Sequence, residues 1–330
     1  MRILILGGTK FVGRSYVEGA LEAGHDVTLF NRGRTAPELF GEVEQIRGDR
    51  DVSLEPLEGR SWDVVFDPSC YLPRHAQMAA SALAGSTEHY TFVSSVSAYA
   101  DETTPDQDEA APLAELADPA TEDIPQHYGA LKVASERALQ DAFGDRALIL
   151  RPGFIGGPYD QVERMPWWLR RLARGGEVLV PGEPGERVQV IDARDVAAFA
   201  LELASRRDGG VFNVCAPPHG YEMRELLDAC AAAVGASDVA YTYVPESFLL
   251  EQGVPEDEPV PYWVGTRYLA IRRFDPSRAF AAGLRTRPLS ATFRDCWGWD
   301  RAREQETLPV GLAPEREREL LAAWHAKVGA

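Results

Sequence analysis

Residues 2–13 read Arg-Ile-Leu-Ile-Leu-Gly-Gly-Thr-Lys-Phe-Val-Gly. The apolar run Ile3 to Leu6 fits a buried parallel strand, and two glycines bound it at once. From Phe11 the pattern turns amphipathic, with Val12, Tyr16, Val17, Ala20 and Leu21, and it stops at Gly24. That is strand, glycine-rich turn, helix, and Asp26 to Phe30 supplies the second strand of a β-α-β unit. Such a turn aims unpaired backbone N–H groups and a helix dipole at an anion, usually a dinucleotide pyrophosphate. The glycines carry weight because they stand between a strand and a helix.

Further strands are predicted at 26–30, 43–46, 63–67, 89–95, 147–151, 188–191 and 211–214, with helical stretches between most of them. This alternation predicts an α/β fold, a doubly wound parallel sheet of Rossmann type with a smaller C-terminal substrate-binding cap. Residues 1–158 with 187–214 are expected to form the nucleotide-binding unit, and 159–186 with 215–300 the cap. Residues 301–330 read as a C-terminal helical extension, in which Pro314 to Val328 forms an amphipathic helix with Leu320, Leu321 and Trp324 on its apolar side. Asp101 to Ile124, rich in acidic residues, prolines and threonines, reads as a surface loop.

The loop leads into Tyr128-Gly-Ala-Leu-Lys132, and Lys132 is one of three lysines in the chain. On a helix this spacing puts phenol and ammonium on one face. An unperturbed tyrosine titrates near ~10, and an adjacent cation is expected to lower that value towards neutrality, giving a proton-transfer catalyst. A surface helix with an incidental polar pair remains the other reading of these residues alone.

Together the turn and the Tyr/Lys pair resemble the extended and atypical branches of the short-chain dehydrogenase/reductase superfamily, the NAD-dependent epimerase/dehydratase group. Gly7, Lys10 and Gly13 fall where that group carries GxxGxxG, in a form with a basic residue at the middle glycine. Gly48-Asp49, the run Val93 to Tyr99, Arg151-Pro152-Gly153 with Gly157-Pro158, and Val190 to Val196 match in the expected order. The resemblance spans roughly residues 1–300. It implies a catalytic set of Ser95, Tyr128 and Lys132: Ser95 bonding the substrate oxygen, Tyr128 as its acid/base, Lys132 holding the nicotinamide ribose. Strand-end capping is the structural alternative for Ser95. Implied cofactor contacts come from Gly7, Thr9, Lys10, Phe11, Val12 and Gly13, then from Asn31, Arg32, Arg34, Asp49 and Arg50. Ser69, Ser94, Pro152, Gly153 and Ile155 complete them, beside Tyr128 and Lys132.

The choice between NAD and NADP turns on the end of the second strand. NAD-selective sites place Asp or Glu there, whereas this chain has Asn31-Arg32-Gly33-Arg34. No carboxylate repels a 2′-phosphate and two guanidiniums can pair with it, which favours NADP. Asn31 can still bond a 2′-hydroxyl, so NAD stays open.

The reaction expected is hydride transfer at a secondary alcohol or ketone carbon of a hydroxylated small molecule, such as a sugar nucleotide, a nucleoside or a related metabolite. Recycling of the cofactor, as in an epimerase or dehydratase, is set beside a net reductase or dehydrogenase. The Asp-Glu pair of the family's nucleotide-hexose dehydratases is here Val96-Ser97, leaving Asp67, His127 or Asp160 as possible bases. The family arginine for a substrate diphosphate should align near Val188, and Arg187 is one place early. Substrate contacts are expected from Tyr71, Ser97, Phe154, Trp168 and Arg187. Trp167-Trp168 either floor the site or pack a cap helix.

Composition bounds the partners. A net charge of −17 opposes binding to nucleic acid. The acidity and the intact triad also weigh against a non-catalytic, RNA- or nucleotide-binding reading, although some relatives with this turn are chloroplast proteins that associate with RNA. No apolar run reaches 18 residues, the first strand begins at residue 2, and the four cysteines are scattered. A cytoplasmic protein without a membrane span is expected, with a homodimer left open as its assembly, and the six histidines show no metal-ligand spacing.

Overall fold

The computed structural model describes residues 1–256, 258–305 and 307–329. Strands β1 (Arg2–Leu6), β2 (Asp26–Asn31), β3 (Glu44–Arg47), β4 (Trp62–Asp67), β5 (Thr87–Val93) and β6 (Ala147–Pro152) join the strand Gly210–Val214 in one seven-stranded sheet. From one edge the order is Gly210–Val214, β6, β5, β4, β1, β2, β3, and every pairing is parallel. The order reverses at β1 and β4, where a doubly wound sheet opens its ligand crevice.

Strand β1 is buried on both faces, which is why it reads as an unbroken apolar run. Ile3 and Ile5 pack under α1 (Phe11–Glu22) and α5 (Ala193–Arg206). Leu4 and Leu6 pack with α2 (Pro73–Leu83) and α3 (Ile124–Phe143) on the other face. A second core gathers α4 (Arg164–Ala173), α6 (Met223–Val234) and the helices Leu289–Asp300 and Pro314–Val328. Among the described residues no helix is long and apolar enough to cross a membrane.

One strand expectation needs correction, and one strand pair lies where none was expected. Residues 188–191 are not a member of the main sheet. Val190–Asp192 pairs in parallel with Phe154–Gly156, and Arg187–Val188 pairs antiparallel with Tyr221–Glu222. These short pieces bridge from the sheet to the second core. The parallel pair Gly176–Pro181 with Val239–Val244, within segments read only as cap, lies on the second core.

Candidate active site

A cleft of about 700 Å³ opens at the carboxyl ends of β1 to β6. Its floor is the glycine-rich turn. Gly7 and Gly8 have φ of +116° and +94°, and a Cβ at Gly8 would lie 2.9 Å from Leu29 Cδ2. That Cβ would enter the core beneath the turn, among Leu29, Val17 and Ile5, so glycine lets the turn sit tightly on the sheet. Helix α1 starts without a side-chain cap on its N–H groups, since Lys10 at the cap position makes no such bond. Uncapped N–H groups, a glycine cradle and a nearby ammonium fit a dinucleotide pyrophosphate.

At the next strand the side chain of Asn31 is already committed. Its Oδ1 accepts from Gly33 N at 2.9 Å and from Arg47, and its Nδ2 donates to Gly7 O at 3.4 Å. Asn31 therefore shapes the turn that carries Arg32 and Arg34 into the cleft wall. Arg32 faces Asp49 at 3.9 Å, while Arg34 is exposed and has no partner among the described residues. Arg50 lines the cleft but donates twice to buried Asp67, at 2.8 Å each, and to Ser69 Oγ at 3.2 Å. Ser69 Oγ in turn donates to Leu6 O at 2.6 Å, tying the end of β4 to the end of β1. Ser94 also lines the cleft, with its hydroxyl donated to buried Glu136. Arg50, Ser69 and Ser94 thus build the wall, and the side-chain bonds that they make run into the protein.

Ser95 and Tyr128 meet at the mouth of β5. Ser95 Oγ accepts from Ser97 N and donates to Ser97 Oγ, both at 3.1 Å, so the capping bond coexists with exposure to the cleft. Ser95 and Tyr128 both line the cleft there. Close approach is possible because residue 129 is glycine: a Cβ there would sit 1.8 Å from Ser97 O. The phenol is pushed up to about 12 by burial, with Tyr71 adding to the rise and Ser95 and Arg164 opposing it. This corrects the expected lowering.

The reason is where Lys132 goes. Its Nζ donates to Cys70 O at 2.7 Å and Val93 O at 2.9 Å, and lies 5.7 Å from the Tyr128 ring centre. The Tyr71 ring covers it at 4.9 Å. Lys132 is buried behind the cleft wall, and that burial pulls its ammonium down to about 8.

Residues 75–215 match the model of the NAD dependent epimerase/dehydratase family. The chain is 30% identical over 271 residues to the chloroplast stem-loop binding protein of 41 kDa b of Arabidopsis thaliana, covering 75% of this chain and 67% of that one. It is also 30% identical over 246 residues to 2′-dehydrokanamycin reductase of Streptomyces kanamyceticus, covering 71% and 67%. The chain belongs to the NAD-dependent epimerase/dehydratase family. In fold it is similar to the Bordetella bronchiseptica enzyme WbmH, solved with NAD+, with a TM-score of 0.68 and 16% identity over 91% of this chain and 98% of that one.

Family membership makes the substrate end of the cleft the part to compare with expectation. Tyr71, Ser97 and Phe154 line it, and so do Pro152, Gly153 and Ile155. Trp168 does not: it is fully buried, and its indole N–H donates to Pro261 O at 2.7 Å, packing the second core. Arg187 does not either, because its guanidinium donates to Gly220 O at 3.1 Å and to Glu222 at 3.3 Å. Asp67 is paired with Arg50, Asp160 accepts from Val162 N and Met165 N, and His127 is exposed outside the cleft. Sequence reading missed Arg164, which lines the cleft over the Phe154 ring at 5.0 Å. Its bidentate partner, Glu258, lies 94 residues away and gives no local signal.

Proposed function

We propose that this epimerase/dehydratase-family chain catalyses hydride transfer at a secondary alcohol or ketone carbon of a hydroxylated small molecule. The reading is carried by one observation: Ser95 and Tyr128 line the same cleft that begins at the glycine-rich turn. Tyr128 gives or takes the proton of the substrate oxygen, and Ser95 orients that oxygen through its hydroxyl. Lys132 stands behind them as a buried cation that steadies the site from Cys70 and Val93. When bound, the nicotinamide supplies the hydride chemistry. NADP is favoured over NAD because Arg32 and Arg34 flank the turn while Asn31 is occupied.

Within the class, an epimerase that keeps and recycles its cofactor is the preferred reading. Elimination needs a base beside Tyr128. Among the described residues that line the cleft, the carboxylates are Asp49 and Asp51, which follow β3 at the nucleotide end. A net reductase is the second reading, favoured by the identity to a relative named as a reductase. Denaturing the purified protein and chromatographing the supernatant separates them. The recycling reading expects released NAD(P) and turnover without added cofactor. An empty protein that consumes stoichiometric NAD(P)H would replace it with the reductase.

A further inference from the structure

The arginines around the substrate end of the cleft have their charges already matched. Arg164, which lines it, donates to both oxygens of Glu258 at 2.5 and 2.6 Å. Arg272, Arg273 and Arg187, none of which lines the cleft, pair with Glu186, Asp106 and Glu222. The positive end of α4 is closed to anions too. Asp160, buried at its start, accepts from Met165 N at 3.3 Å, and Glu163 at the cap position is paired with Arg303 at 2.7 Å. The other cleft-lining cations, Lys10, Arg32, Arg34 and Arg50, stand on the turns after β1, β2 and β3, at the nucleotide end.

A substrate diphosphate brings two negative charges that need unmatched donors or a free helix N-terminus. Beside Tyr128 the wall offers neither. It offers the hydroxyl of Ser97, the amide of Gln161, the phenol of Tyr71, the Phe154 ring and Arg164, whose charge Glu258 matches. An arginine whose charge is matched from behind still presents N–H donors, which suit hydroxyl groups better than a dianion. The chain's net charge of −17 further disfavours a dianion and draws amines.

We infer that the substrate is unphosphorylated: a polyhydroxylated small molecule, neutral or amine-bearing, that meets Arg164 with its charge already matched by Glu258. This rests on the hydride-transfer reading but fails separately from it. The test titrates full-length protein saturated with NAD(P) against UDP, dTDP, GDP and inorganic pyrophosphate by calorimetry. Wild type should show no saturable binding at millimolar ligand. Glu258→Gln frees the Arg164 charge and should gain pyrophosphate affinity by about tenfold or more, a gain abolished by adding Arg164→Ala. Unchanged cofactor affinity certifies that the variant is folded, and the wild-type titration decides alone where it is not. Micromolar binding of any of the nucleotides to wild type overturns the inference and leaves hydride transfer intact. A folded Glu258→Gln protein that gains nothing overturns it as well, because Arg164 would then not face the substrate.

Discussion

Two backbone carbonyls, those of Cys70 and Val93, take two of the three N–H groups on Lys132 and leave one for anything else. Burial disfavours the ammonium, so the folded protein releases this proton near pH 8, whereas an unfolded lysine holds it to ~10.4. Between those values the unfolded chain binds more protons, and stability due to this residue rises with pH from about 8 upward. With three lysines in the chain, side-chain NMR can follow each one. We expect a lysine resonance with a midpoint near pH 8 that disappears in Lys132→Met, and a flatter stability profile for that variant over the same range. A Lys132 signal that first moves above pH 10 would mean the site stays charged. At the other end of the cleft, Arg32 is partly offset by Asp49 at 3.9 Å and Arg34 is not. Wild type should therefore bind NADP(H) more tightly than NAD(H), and Arg34→Ala should erode that preference more than Arg32→Ala. A charge-assisted hydrogen bond contributes ~1.5–3 kcal/mol, so the Arg34 effect should be about tenfold or more by calorimetry. Tighter NAD binding in wild type would make both arginines bystanders. Ser95, Tyr128 and the two arginines were legible because their spacing from strand and helix ends is local. The direction of the Tyr128 shift was not, since it depends on which way a lysine four residues on is drawn by carbonyls from two other segments.

Helix α3 is set against the sheet by a buried chain of polar contacts and by one missing side chain. Arg151 on β6 donates to Glu136 on α3 at 3.0 and 2.6 Å, and to the Tyr99 hydroxyl at 3.2 Å. Tyr99 donates onward to Asn213 at 2.6 Å, and Ser94 closes the other end on Glu136. Above this network Gly129 lets the helix backbone rest on Ser97, which fixes the distance between Tyr128 and Ser95. Gly129→Ala must push the helix or the Ser97 turn aside. We expect turnover to fall on the order of 10²-fold, as for a small misplacement of reacting groups, with ~1–3 kcal/mol lost in urea denaturation. Gly19→Ala in α1 is the control, because a Cβ there meets nothing within 4 Å, and it should gain ~0.5–1 kcal/mol without touching turnover. Equal effects from the two substitutions would rule out close packing at Gly129. The helix itself was visible in the sequence; the need for glycine at 129 was not, since it arises from a backbone 32 positions upstream. Residues 188–191 show a related limit. A short apolar run reads as a buried strand, but nothing in it says which strand it will join, and here the partner is Phe154–Gly156.

At the scale of the whole molecule, the glycine turn and the alternation of runs made the seven-stranded sheet legible, because each β-α step repeats the same local pattern. The second core was less so, since it is assembled from pieces as far apart as α4 and Pro314–Val328. Its last helix could be read from its own amphipathic pattern, and Leu320 and Leu321 are indeed buried, each contributing about 1.5–3 kcal/mol. What anchors it is polar and could not be read. Glu317 accepts from Arg171 of α4 at 2.6 and 2.7 Å and from Leu179 N at 3.1 Å, with both charged side chains buried. Removing one partner of such a pair leaves the other as an uncompensated buried charge. Glu317→Ala should therefore lower stability by ~3–5 kcal/mol in urea. Replacing both partners, with Arg171→Met and Glu317→Leu, should recover most of the loss, since well-packed apolar side chains of similar volume need no desolvation. The cofactor affinity of the double variant should match wild type, because neither residue lines the cleft. A Glu317→Ala protein with an unchanged midpoint would mean that the terminal helix only lies against the second core; one that also loses cofactor would mean that this helix supports the sheet, and with it the site.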